Sequence, residues 1–465
     1  MKPLLLLLPL TLAQDIPLAL TYGYPLLAFQ QYLLPRLPSG PNTLLHERAL
    51  STSSDRSVVT PNVDTIYTSA VIDVSQHDVT LQIPHIPDDL YALFSFYDPF
   101  GNNWANVGVG HPSVTNEWRI RQKPPNETYG VQHGNETIFN SPSAYVVFLV
   151  RWLVRSNLDT IHSLQDKMSI SNSSTPSTTK FKPITSITDT DSSPANRVYH
   201  LLSQYAPAIS PLNDTEAIRI NQTLHRAGVY TTAPDLTAAN KTATTSIRQS
   251  ILSALQPQSN GWALIQANKT GNFGTDYNLR ALIAATGYLM LTAPDAIYPL
   301  WLNGSANSPL TVAADEAIVY TFSGKPSLKK LGFWSLTIYD SDHFLIPNER
   351  NVYGLGDRSN LTYANGEFVY EGKEDGEFQI LVQPADVEPP ANWTGNWLPA
   401  PAGGGSIYTT LRWYGAEEGL LNGSYEYPVV SRRAAIKRTV PVKNEGTALA
   451  YTLLAILVPA AMMLM

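Results

Sequence analysis

The residues of this 465-residue chain best placed for chemistry fall into an early and a late group. Asp64, Tyr67 and Asp98 lie in the stretch 60–108. Tyr339, Asp340, Asp342, His343, Arg358 and Arg412 lie in the last third. A carboxylate from Asp64 or Asp98 beside His343 could form a general acid–base pair, making these three the candidate catalytic residues. Arg358 and Arg412 could clamp a carboxylate or a sugar hydroxyl. Tyr67 and Tyr339 offer rings for a flat or sugar-like ligand, with Asp340 as a further polar contact. Each residue also has a plain structural alternative. Asp64 and Asn62 could cap a turn, and Arg412 could pair with a buried carboxylate to hold two sheets together. The expectation is that both groups line one cleft.

Such groups need a rigid scaffold, and the sequence pattern describes one. In 60–108, alternating apolar residues (Val79, Leu81, Ile83, then Leu93, Phe94, Phe96 and Tyr97) mark strands, punctuated by Pro84, Pro87 and Gly101. The run 144–154 reads as a central strand buried on both faces. From Ala317 the two-residue period returns. In 333–340, Trp334, Leu336 and Ile338 share one face while Ser335, Thr337 and Tyr339 share the other. Further strands are expected at 368–372, 378–384 and 407–415, with Asn365-Gly366 as a hairpin turn. Between these blocks, 195–293 reads as helical. One helix is expected to be capped by Thr245-Ser246 with a stripe of Ile247, Ile251, Leu252 and Leu255. Another begins at Thr275-Asp276 and runs to Pro294. An opening helix at 17–34 is interrupted near Pro25. The Ser/Thr-rich segment 169–194 reads as a surface loop.

Composition narrows the function classes. Charged residues are 15% of the chain and hydrophobic ones 43%, with 35 prolines and 24 tyrosines, a balance that suits a β-rich exported protein. The net charge of −7 gives no basic patch for nucleic acid. With no cysteine, thiol catalysis, zinc–thiolate sites and disulfides are excluded. The nine histidines show no helix-face metal spacing, so no metal and no cofactor are expected. Gly-x-Ser-x-Gly, His-Glu-x-x-His, P-loop and Gly-x-Gly-x-x-Gly motifs are all absent.

Both ends point to export. The apolar run after Lys2, ending near Ala13, resembles a cleaved signal peptide. N-glycosylation sequons occur at Asn126, Asn135, Asn172, Asn213, Asn221, Asn240, Asn268, Asn303, Asn360, Asn392 and Asn422. The uncharged tail 448–465, preceded by small residues around Asn444 and Gly446, resembles a glycosylphosphatidylinositol signal with lipid attached at one of those two. The alternatives are a retained tail helix in the membrane or free secretion. The expected location is the outer face of the plasma membrane.

Two motif sets carry a family resemblance. TPNVDTIYTSAVIDVS, YALFSFYDPFGNNWANVG and, upstream, YGYPLLAF resemble domain of unknown function 1254. FWSLTIYDSDHFLIPN, VYGLGDR, NWLPAP and LRWY resemble its habitual companion, domain of unknown function 1214. The sequons, insertion and tail look like elaborations of a eukaryotic, fungal-type member. The resemblance implies a β-sandwich-dominated, multidomain protein and little chemistry. The expected fold class is α+β, mainly β: two antiparallel, jelly-roll-like β-sandwich domains with a helical middle portion. Expected boundaries are signal 1–13, N-terminal β domain 14–165, insertion 166–194, helical region 195–293, C-terminal β domain 294–440 and anchor signal 441–465. Three functions stay open: binding or processing a small molecule or glycan between the β domains, an accessory biosynthetic enzyme of hydrolase or lyase type, and a cell-surface scaffold.

Overall fold

The computed structural model describes residues 7–438 except 57–58, 113–114, 185–192, 232–233, 303–309 and 373–374. The expected anchor sites Asn444 and Gly446, the tail, the sequon at Asn303 and the first six residues lie outside these.

The N-terminal strands pair into two facing sheets because their even and odd positions have different work. The inner sheet runs in the order Leu45–His46, Thr65–Asp73, Tyr145–Leu153, Ala92–Tyr97 and Asn103–Gly108. The outer sheet runs Ser169–Pro176, His77–Gln82, Glu117–Gln122, Thr137–Ser141 and Gly130–Gln132, antiparallel except between Glu117–Gln122 and Thr137–Ser141. Ile66, Phe94, Phe96, Phe148 and Trp152 of the inner sheet meet Val79, Leu81, Trp118 and Phe139 of the outer one. Tyr145–Leu153 is the central strand, buried throughout as its apolar run predicts.

The other face of the inner sheet is covered by helices. Leu7–Gly23 and Pro25–Leu33 pack with Pro194–Tyr205, Asp214–Arg226, Thr237–Ala254 and Tyr277–Gly287, so the opening helices join the middle helical portion in space. Pro25 starts the second helix at a position where a missing N–H costs nothing. Gly23 allows close approach, since a Cβ there would lie 2.6 Å from Leu202. Asp15 bonds Arg226 at 2.7 Å and ties the two ends of this layer.

Several local expectations change. Thr245 and Ser246 are inside a helix that already begins at Thr237, and the Thr245 hydroxyl bonds back to the Lys241 carbonyl. Ile247 and Ile251 are buried, but Leu252 faces solvent. Asp276 does cap its helix, accepting from Leu279 N, yet that helix stops at Gly287. The middle region also holds short strands, Leu255–Pro257 and Trp262–Ile265. Part of the Ser/Thr-rich segment, Ser169–Pro176, is an exposed edge strand on His77–Gln82 rather than loop. Its backbone hydrogen bonds replace the apolar burial its side chains lack.

The C-terminal sandwich faces one sheet, Ala296–Ile297, Gly405–Ala416, Leu328–Tyr339 and Gly354–Gly356, against another, Trp397–Ala400, Phe378–Pro384, Glu316–Phe322 and Val429–Ala434. Trp334, Leu336 and Ile338 enter its core with Tyr320, Phe322, Phe378 and Trp413. The Asn365-Gly366 turn closes, with Gly366 at φ +88 and Tyr363 N on the Glu367 carbonyl. The expected strand after it contributes only the bridge Thr362–Phe368.

Gly356 pairs with Ser335 so closely that a Cβ would lie 1.9 Å from the Trp334 carbonyl oxygen. Gly356→Ala is therefore expected to lower unfolding free energy by about 1–3 kcal/mol or more, read from urea titration. An unchanged midpoint would contradict this packing.

Candidate functional site

Five consecutive residues join the two sandwiches. The segment 60–64 lies across the face of the C-terminal sheet that turns away from its own core. On that face Phe333 pairs with Tyr414, Ser335 with Arg412, Thr337 with Thr410 and Tyr339 with Tyr408. Arg412 runs along the sheet, donating to Thr337 Oγ1 at 3.1 Å, Tyr339 Oη at 2.8 Å and the Thr60 carbonyl at 3.2 Å. Tyr339 Oη donates to the Pro61 carbonyl at 2.8 Å, and Asn62 Nδ2 donates to Tyr414 Oη at 2.9 Å. Asp64 accepts from Ser335 Oγ and forms an ion pair with Arg358. Asn62 also accepts the Asp64 N–H, the turn-capping role foreseen for it.

Beside this seam opens a cleft of about 1020 Å³. Its N-terminal wall is Leu50, Ser51, Thr52, Val63, Asp64 and Val154; its C-terminal wall includes Arg358, Tyr353, Phe368 and Trp393. The Asp64–Arg358 pair thus faces the cleft on one side. On the other side Asp64 lies within electrostatic reach of Arg412 and Tyr339. Burial, partly offset by Arg412, raises the Tyr339 phenol, so it stays protonated.

The structure brings together Asp64, Tyr339, Arg358 and Arg412. Tyr67 lies instead within electrostatic reach of Arg151 and Tyr414, and His343 reaches the segment 60–64 through its backbone carbonyl, which accepts from Thr60 N at 2.8 Å. Asp98 is wholly buried at the junction of the N-terminal sandwich and the helices, accepting from the backbone and side chain of Asn102. Burial raises its carboxyl despite Arg280 nearby. Arg280 itself bonds the Tyr22 carbonyl and sits 4.4–4.8 Å from the ring centres of Tyr22, Phe100 and Tyr277. That cluster pins helices to sheet. His343 stacks on Tyr408 with ring centres 4.0 Å apart and adopts φ +65 in the turn after its strand. Asp340 organises that turn by accepting the N–H groups of Asp342 and Phe344, with Arg56 3.5 Å away. Among the described residues the contacts of Asp64 go to Ser335 and Arg358, so the expected His343–carboxylate pair is not formed.

Other residues escaped the sequence reading. Arg151, on the central strand between Tyr67 and Leu93, donates to Ser95 Oγ at 3.3 Å, Tyr97 Oη at 3.1 Å and the Leu289 carbonyl at 2.9 Å. Tyr67, Tyr97, Tyr298 and Tyr414 all lie within its electrostatic reach. Tyr91, Phe333 and Tyr414 form an aromatic wall beside it, with Phe333 and Tyr414 stacked at 4.1 Å. His111 and Asp295 pair at 2.6 Å, with Asn106 and Thr292 holding the carboxylate. Arg151 hid within an apolar run, and His111 and Asp295 are 184 residues apart.

Removing Arg358 alone leaves the 5%-exposed Asp64 without its cation. Arg358→Met is expected to destabilise the fold by about 3–5 kcal/mol, and the double variant with Asp64→Asn by clearly less, in denaturant titrations. Equal losses for single and double variants would mean that the pair is not coupled.

Two family models match the chain in tandem: "Protein of unknown function (DUF1254)" over residues 41–172 and "Protein of unknown function (DUF1214)" over 295–418. No curated protein matches significantly. Among solved structures, the chain is similar to the VPA0106 protein from Vibrio parahaemolyticus, with TM-score 0.59 at 16% identity, covering 91% of this chain and 99% of that one. An uncharacterized protein from Burkholderia cenocepacia aligns with TM-score 0.43 at 13% identity over 92% and 96%. The first likeness shows a shared fold. With both motif sets in order and both models matched, the chain belongs to the family that joins DUF1254 to DUF1214.

Proposed function

We propose that this protein binds a small polar molecule or a glycan in the cleft between its two β sandwiches. The observation that carries this is the cleft itself. Its volume of about 1020 Å³ is at the upper end of small-ligand sites, and it brings an ion pair together with the exposed Phe368 ring and the half-buried Trp393. Phe368 keeps 42% of its surface exposed there. Arg358 and Asp64 would orient polar groups of the ligand, while Phe368 and Trp393 cover its apolar faces. The accessory-enzyme reading has one specific observation in its favour, the His111–Asp295 pair, in which a carboxylate orients an imidazole as a base requires. It lies outside this cleft's lining.

Phe368→Ala is the direct test, because its exposed ring contributes little to the core. Small molecules and oligosaccharides retained by the purified protein, identified by affinity mass spectrometry, are expected to bind at least tenfold more weakly to the variant at an unchanged melting temperature. A full set of sugars and extracts with no retained compound would favour the scaffold reading.

We further propose that the protein is an exported glycoprotein held at the cell surface by a C-terminal lipid. Exposure of the sequon asparagines supports modification: Asn126, Asn135, Asn172, Asn213, Asn221, Asn268, Asn360, Asn392 and Asn422 are all exposed. Asn240 differs, being half-buried with its side chain accepting from Tyr24 Oη. Among the described residues no helix is long and apolar enough to cross a membrane. Glycopeptide mass spectrometry is expected to find glycans at exposed sequons away from the cleft, which Asn360 and Asn392 line, and none at Asn240. Phosphatidylinositol-specific phospholipase C is expected to release the protein from membranes. Retention after a control anchor is cleaved would point to the tail helix instead.

A further inference from the structure

Two guanidinium groups approach the junction of the domains from opposite sheets, with Tyr298 and Tyr414 within electrostatic reach of both and neither hydrogen-bonded to a carboxylate. Arg151 comes from the central strand of the N-terminal inner sheet and Arg412 from the C-terminal sheet; each is only 6% exposed. Among the described residues neither forms a salt bridge, and every hydrogen bond they make goes to a neutral hydroxyl or carbonyl. The nearest carboxylates are committed elsewhere, Asp64 to Arg358 and Ser335, Asp295 to His111, Asn106 and Thr292. A buried guanidinium keeps its proton, and its desolvation is substantial unless an anion answers it.

The tyrosines around the pair do not supply that anion. Tyr298 and Tyr414 lie within electrostatic reach of both arginines. Burial, the largest influence on each, pushes the Tyr298 phenol up to about 12 and raises Tyr91 and Tyr414 further. They remain neutral donors at physiological pH. The hydroxyls of Tyr67, Tyr91 and Tyr298 have no hydrogen-bond partner among the described residues, although Tyr91 is only 4% exposed. Tyr67 and Tyr298 keep part of their surface accessible, and none of the three hydroxyls is among the fully enclosed unpartnered polar atoms, so solvent-sized molecules reach them. Arg280, the other deeply buried arginine described above, differs in being enclosed by three rings.

We infer that the Arg151–Arg412 centre is a binding site for a small aromatic carboxylate. The carboxylate would take the unanswered positive charge and accept from the free phenols. The aromatic body would lie against the wall of Tyr91, Phe333, Tyr414 and Tyr298. This site uses residues different from those lining the outer cleft, so it stands or falls separately from the function proposed above.

The probes are benzoate and its neutral isostere benzamide, titrated into the whole purified protein by calorimetry and thermal unfolding. Benzoate is expected to bind saturably and raise the melting temperature, and benzamide to bind at least tenfold more weakly. Arg151→Gln is expected to abolish the preference. Should that variant fail to fold, Tyr298→Phe, which removes a single unpartnered hydroxyl, is expected to weaken benzoate several-fold and leave benzamide unchanged. Equal binding of both probes, or no saturable benzoate binding, overturns the assignment. Benzoate binding that survives Tyr298→Phe undiminished but is lost in Phe368→Ala also overturns it, placing the anion in the outer cleft.

Discussion

The stretch 333–339 of the strand Leu328–Tyr339 is buried on both faces, and its two faces have opposite chemistry. One face gives Trp334, Leu336 and Ile338 to the C-terminal core. The other carries Ser335, Thr337 and Tyr339, whose hydroxyls must find partners once water is excluded. The segment 60–64 supplies those of Ser335 and Tyr339, Arg412 supplies that of Thr337, and the segment has its own irregular backbone satisfied in return: the carbonyls of Thr60 and Pro61 accept from Arg412 and Tyr339. The relative position of the two sandwiches follows from this exchange. Any displacement would strand several buried donors and acceptors at once, each costing about 1–3 kcal/mol.

Once that seam is closed, the electrostatics of the junction follow. Asp64 is held between Arg358, on the cleft side, and Arg412, on the inner side, but bonds only the former. Arg412 is left with neutral acceptors, and Arg151, reaching the same junction from the opposite sheet, is in the same position. The protein thus has an ion pair facing an open cleft and, behind it, two arginines whose direct hydrogen bonds all go to neutral groups. Under the two proposals the environments would suit different ligands: a hydroxyl-rich molecule would meet fixed donors and acceptors in the cleft, whereas an anion would gain most from the inner centre.

The similarity to the Vibrio protein bears on architecture alone, since 16% identity leaves room for any side-chain chemistry on a shared backbone. The functional reading therefore rests on what this chain places at the junction. His343 and Asp98, the most reactive-looking residues in the linear sequence, serve as a turn residue stacked on Tyr408 and as part of a helix-to-sheet brace.

The sequence by itself determined the local patterns. The two-residue period of 333–340 is a property of the pleat, which sends alternate side chains to opposite faces wherever the strand lies. The apolar run 144–154 had to be interior, and Asp276 had to cap a helix, because both depend on neighbours within a few residues. That Asp64, Tyr339, Arg358 and Arg412 would converge was also legible, from polar groups falling at strand ends and on one strand face. Contacts between distant segments were decided only by tertiary structure. The opening helices packed among later ones, a Ser/Thr-rich stretch became an edge strand because a neighbour offered hydrogen bonds, and Arg151 was masked by the apolar strand carrying it. Tyr298 and Tyr414 have no local signal at all; they meet Arg151 because sheet and helix packing bring three parts of the chain to one point. Periodicity records which way a side chain turns, but what it meets there is fixed by long-range packing, where burial and charge act through space rather than along the chain.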